Sequence, residues 1–242
     1  MMQISTTTIR LRTGDGEMKC HQAQPRGSGK FPAVIVVMEA FGLNDHIKDV
    51  TERIAAEGYV TIAPDLYYRE SVNVVDYDQL QEAIGLMQRL DYDKVVADLR
   101  SVITHLKAQS FVNGDRLGMT GFCMGGTLTF LAACKLPSDI KAAVTFYGGS
   151  IADDSPMAPL NFADDLQAPL LCFFGEKDPY IPLSQVKKIE DALRALGKSC
   201  EVKVYAGAEH GFFCDDRASY QPEAASDAWE ITRSWFARHL QG

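Results

Sequence analysis

The run FPAVIVVME (31–39) restricts the fold more than any other stretch, because apolar residues fill both of its alternating sides. A strand with one wet face alternates apolar and polar residues. One that is apolar throughout is covered on both faces, as in a parallel sheet flanked by helices. Four further short runs read the same way: VTIAPDL (60–66), DRLGMTGF (115–122), KAAVTFYGG (141–149) and PLLCFFG (169–175), followed by CEVKVYAG (200–207) as the last strand. Between them lie helical patterns. HIKDVTERIAAEGY carries apolar residues at 47, 50, 54 and 55 and stops at Gly58. Residues 76–109 predict two helices joined near Leu90-Asp91-Tyr92, and SQVKKIEDALRALGK is closed by Gly197.

The N-terminus reads differently. TTTIRLR (6–12) and EMKCHQA (17–23) alternate, and Thr13-Gly14-Asp15-Gly16 separates them, which predicts an antiparallel hairpin. The expected architecture is therefore α/β: a mainly parallel central sheet, an N-terminal antiparallel hairpin and helices on both faces. No repeat or linker divides the 242 residues, so a single domain over 1–242 is expected. Such sheets place their chemistry beyond the C-terminal ends of the strands.

Composition enters as an exclusion. A formal charge of -8 and no Lys/Arg-rich stripe argue against a nucleic-acid partner. No stretch approaches the apolar length of a membrane span, and the first residues lack a basic start followed by an apolar run. The six cysteines form no C-x-x-C pair and several lie in apolar runs. Reduced thiols, a cytoplasmic location and no metal site follow as expectations. Nothing in the sequence addresses the oligomeric state.

The chemistry concentrates at LGMTGFCMGG (117–126). A strand runs into Gly121-Phe122-Cys123-Met124-Gly125, the nucleophile-elbow pattern G-x-S-x-G with cysteine for serine, and a helix follows. The other members of such a triad follow as acid and then histidine, each in a loop after a later strand. Asp178 lies just past PLLCFFG and His210 just past CEVKVYAG. Glu176, two residues before Asp178, is the rival acid. His21, His46, His105 and His239 lie in the hairpin or on helices. Glu39 ends a doubly buried strand, a costly place for an idle carboxylate. The loop after that strand supplies one oxyanion-hole N–H and the residue after the nucleophile the other, which assigns Ala40 and Met124. Phe41, next in that loop, is a candidate substrate contact.

The runs M-E-A-F-G (38–42), A-P-D-L-Y (63–67), G-F-C-M-G-G (121–126), G-E-K-D (175–178) and H-G-F (210–212) together resemble the dienelactone hydrolase family. That resemblance implies hydrolysis of an enol-lactone or ester through an acyl-cysteine intermediate, with no metal or cofactor and a small-molecule substrate. It also implies that Glu39 contacts the resting thiol, keeps it protonated and then assists its deprotonation once substrate arrives. Members that cleave dienelactone hold its carboxylate with arginines, for which Arg69 and Arg217 are candidates by location. Two other readings stay open: a broader carboxylesterase or thioesterase acting on neutral acyl groups, and a non-catalytic ligand-binding or thiol redox-sensing protein.

Overall fold

The computed structural model describes residues 1–242, which divide into two compact units, Met1–Gly118 and Met119–Gly242. The first contains strands β1 (Ile4–Arg12), β2 (Glu17–Pro25), β3 (Phe31–Val37) and β4 (Val60–Pro64), and helices α1 (Asp45–Ala56), α2 (Leu80–Gln88) and α3 (Tyr92–Ala108). Strand β5 (Val112–Phe122) runs through the boundary. The predicted hairpin is present: β1 and β2 pair antiparallel, with Arg12 opposite Glu17 at the turn and Ile4 opposite Pro25 at the far end. β2 pairs antiparallel with β4, and β4 pairs parallel with β3.

Helix α1 forms where the apolar spacing placed it. Ile47, Val50, Ile54 and Ala55 are buried, Asn44 caps it by accepting the Ile47 N–H at 3.1 Å, and it ends at Gly58, whose φ is +99°. Burying each large aliphatic side chain contributes about 1.5 to 3 kcal/mol, so Val50→Asp would be enough to dislodge the helix. Neighbouring strand residues point to opposite faces, and β2 uses both. His21 reaches Glu52 of α1 at 2.9 Å, whereas Gln22 reaches His105 of α3 at 3.2 Å. Helices α1 and α3 therefore cover opposite faces of this part of the sheet.

The second unit holds α4 (Met124–Lys135), β6 (Ile140–Phe146), β7 (Leu170–Gly175), α5 (Leu183–Ala195), β8 (Cys200–Tyr205) and α6 (Pro222–Phe236), which continues into a π turn over Ala237–Gln241. β6, β7 and β8 are parallel, in that order. Every residue of β7 is buried, while β8 at the edge is half exposed. α4 is buried from Met124 to Cys134, the mark of a helix enclosed on all sides rather than lying on a surface. One boundary differs from the sequence expectation. The strand expected over 31–39 stops at Val37, because the Gly42 N–H turns back to the Glu39 carbonyl at 3.1 Å and breaks the ladder.

Candidate active site

Cys123 stands between β5 and α4 with φ +55° and ψ -120°. A non-glycine residue rarely adopts such a conformation, and the surroundings must hold it there. They do so through its backbone. The Cys123 N–H donates to Phe146 O at 3.0 Å, and its carbonyl accepts from the N–H groups of Gly126 and Thr127 at 2.9 and 3.2 Å. The turn is also too tight for side chains at two places. A Cβ on Gly121 would lie 2.1 Å from the Gly125 carbonyl oxygen, and one on Gly126 would lie 2.6 Å from that of Phe146. Met124 opens α4, so its N–H belongs to the first turn, where a helix has no internal acceptor to offer.

The loops after β7 and β8 are fastened to each other. Glu176 and Lys177 N–H groups donate to Tyr205 and Ala208 carbonyls at 2.9 and 2.8 Å, and the Glu176 carboxylate accepts the Gly207 N–H at 2.8 Å. Glu176 is thus occupied in tying the loops together. Asp178 faces the histidine instead: its Oδ2 lies 2.7 Å from His210 Nδ1, and its Oδ1 accepts the Tyr180 N–H at 2.8 Å. Both side chains are almost wholly enclosed. Burial opposes a charge on His210, but its electrostatic interaction and hydrogen bond with Cys123, together with the Asp178 carboxylate, overcome it and push its pKa up to about 10.

Two tyrosines that the sequence reading did not single out flank this imidazole. Tyr147 meets it edge-on at 5.0 Å and Tyr180 at 5.2 Å. Tyr147 directly follows β6 with φ +38°, a second strained residue, and donates its N–H to Phe173 O at 2.7 Å. No local sequence signal announces such strain; the position directly after a buried strand was the only available hint. Arg217 packs its guanidinium against Gly211, where an added Cβ would fall 2.4 Å from Nη1. A cation therefore lies one residue beyond His210.

In the first unit, Glu39 is fully buried and its Oε2 accepts the Tyr77 hydroxyl at 3.0 Å. The turn it opens is braced from several directions. Tyr67 donates its hydroxyl to the Ala40 carbonyl at 3.0 Å, the Val75 N–H donates to Phe41 O, and the Phe41 ring meets Tyr77 edge-on at 4.7 Å. Gly42 has φ +90° and no room for a Cβ, which would lie 2.0 Å from Asn73 O. Because the Glu39 carbonyl is held by Gly42 and a trans peptide points N–H and C=O apart, the direction of the Ala40 N–H is fixed. Arg69 is differently placed. Its guanidinium forks onto Asp98 at 2.7 and 3.1 Å and donates to Asp15 at 2.9 Å, so a substrate carboxylate would have to displace an existing pair. No helix of the protein is long and apolar enough to cross a membrane.

A mainly parallel sheet with an antiparallel N-terminal hairpin, and a strained strand-to-helix turn ahead of acid and histidine loops, places the protein among the α/β-hydrolases. More narrowly, the chain belongs to the dienelactone hydrolase family, whose pattern matches residues 18–240. A Synechocystis protein named "Putative carboxymethylenebutenolidase" is 36% identical over 99% of both chains. A Bradyrhizobium protein named "Probable 2-oxo-3-(5-oxofuran-2-ylidene)propanoate lactonase" is 35% identical over 99% of this chain and 96% of its own. The crystal structure of a "Putative Dienelactone Hydrolase" from Klebsiella pneumoniae superposes with a TM-score of 0.89 at 37% identity, covering 98% of this chain and all of that one. The protein is a hydrolase of ester and lactone bonds.

Proposed function

We propose that the protein opens an enol-lactone, or cleaves an activated ester, through an acyl-cysteine intermediate. In this reading the Cys123 proton has already passed to His210 once substrate is bound, and the thiolate Sγ, paired with the His210 imidazolium, attacks the carbonyl carbon. The resulting oxyanion is held by the N–H groups of Met124 and Ala40. Collapse breaks the carbon–oxygen bond, and the His210 imidazolium protonates the departing enolate. His210 then takes a proton from water, the hydroxide attacks the thioester, and the Cys123 thiol is regenerated. Asp178 keeps the imidazole in the required tautomer and orientation.

The observation that carries this reading is the Asp178–His210 contact at 2.7 Å, with Cys123 acting on the same imidazole. Glu39 would act on the thiol's protonation before substrate arrives, which also limits thiolate oxidation. Phe41, beside Glu39, would contact the substrate. Arg217 supports an anionic substrate, such as a lactone bearing a carboxylate, because a guanidinium suits that group. The pairing of Arg69 with Asp98 and Asp15 instead favours the second reading, a carboxylesterase acting on neutral acyl groups. Rates on dienelactone and on an uncharged activated ester, for wild type and Arg217→Gln, separate the two. Selective loss on dienelactone supports the anionic substrate, whereas a dienelactone rate unchanged from wild type in the variant opposes it.

A further inference from the structure

A cavity of about 380 Å³ lies in the first unit, on the face of the β1–β2 hairpin that α1 covers. Its floor holds Arg10 and Lys19, which are direct partners across the strands. Like charges placed opposite each other in a sheet repel and destabilise it. The bridge Glu17–Arg12 at the turn shows that this hairpin can place opposite charges across a register position. No acidic side chain lies within ion-pair distance of Arg10 or Lys19, and Lys19 acts only through space on the Asp65 carboxylate. The other basic side chains facing the cavity already have acidic partners: Lys48 lies 2.9 Å from Asp45 and His21 lies 2.9 Å from Glu52. Asp65, the one acid lining the cavity, accepts from the Tyr67 N–H at 3.0 Å and from Asn73 Nδ2 at 2.6 Å. Leu43 and Val74 add an apolar wall.

We propose that this cavity binds a small organic carboxylate, its charge held between Arg10 and Lys19 and its apolar body lying against Leu43 and Val74. Two neighbouring cations in a chain of net charge -8 form a local positive site that an anion of this size would neutralise. An apolar wall and a buried Asp65 nearby favour a singly charged carboxylate over a compact, doubly charged phosphate. Asn73 and Val74 also belong to the segment that pins the Gly42 turn, through the Gly42–Val74 bridge. A bound carboxylate would therefore steady that turn.

The test is calorimetric titration of the full-length protein with benzoate at neutral pH and constant ionic strength, repeated with inorganic phosphate. Saturable benzoate binding is expected, weakened roughly tenfold or more by Arg10→Gln combined with Lys19→Gln. Phosphate should bind more weakly than benzoate. A second readout separates a binding role from a structural one. Without benzoate, Arg10→Gln should raise the melting temperature by roughly one to two degrees, because a repulsion is removed while Lys19 keeps its attraction to Asp65. The same variant should lose the benzoate-dependent rise seen in wild type. Benzoate binding that survives the double substitution, a titration with no saturation, or phosphate binding as tightly as benzoate would each overturn the proposal.

Discussion

Each unit buries one of the two candidate-site carboxylates, Glu39 and Asp178, just past a strand, and the two are held in contrasting ways. Asp178 is fixed within its own loop and the neighbouring one: Tyr180 N–H on one oxygen, His210 on the other. Glu39 is braced from a distance, by a tyrosine 38 residues further along the chain. A carboxylate with one oxygen on a backbone N–H two residues away keeps that anchor whatever its other partner, here His210 32 residues on, does. One secured by a remote side chain depends on the whole segment that carries that side chain. Substitutions should therefore act sharply on chemistry around Asp178, and on chemistry and stability together around Glu39.

The largest effect short of removing the nucleophile is expected from Asp178→Asn, with kcat falling by about 10⁴, as for the equivalent change in a serine triad. Folding should survive, since the shape of the side chain is kept. A loss under tenfold would erase the contrast with Glu39. Next comes Glu39→Gln, expected to lower kcat/KM by about 10²; that size follows from general acid–base assistance. Under the same reading the Cys123 thiol of this variant should oxidise faster in hydrogen peroxide, measured as sulfenic acid by mass spectrometry.

Gly42→Ala should cost about 1 to 3 kcal/mol of stability, because φ +90° and the Asn73 carbonyl both exclude a side chain. Chemical denaturation would measure it, and a neutral result would contradict the tight brace. Tyr77→Phe removes the hydroxyl that donates to Glu39 and accepts from Asn44 Nδ2, and about 1 kcal/mol is expected. The smallest change is a displacement along the pH axis. A raised pKa means that the His210 imidazolium persists at higher pH. Since the proposed cycle uses that cation to protonate the leaving group, kcat/KM should decline as pH rises through about 10. Asp178→Asn removes one of the groups that raise it, so the residual activity should decline at lower pH.

The same contrast explains what was legible in the sequence. The elements that form from local periodicity, such as α1 with its buried residues 47, 50, 54 and 55, could be placed from spacing alone. The chain order of Cys123, Asp178 and His210 was readable because each follows an apolar run. The geometry that fastens their surroundings was not. Tyr77 lies in a polar stretch, and only the fold brings its hydroxyl to Glu39. Tyr147 looks like an ordinary strand-end tyrosine, since positive φ at a bulky residue comes from tertiary constraint rather than local preference. Arg69 looked free to bind an anion because Asp98, 29 residues later, gives no sign in sequence of reaching it.

The central claim is that Cys123 is the nucleophile. Its most direct test is to mix wild type and Cys123→Ala separately with dienelactone, follow hydrolysis, and examine rapidly quenched samples by intact-protein mass spectrometry. The account predicts turnover and a transient acyl adduct on Cys123 in wild type, and neither in the variant. Turnover by Cys123→Ala at the wild-type rate would contradict it.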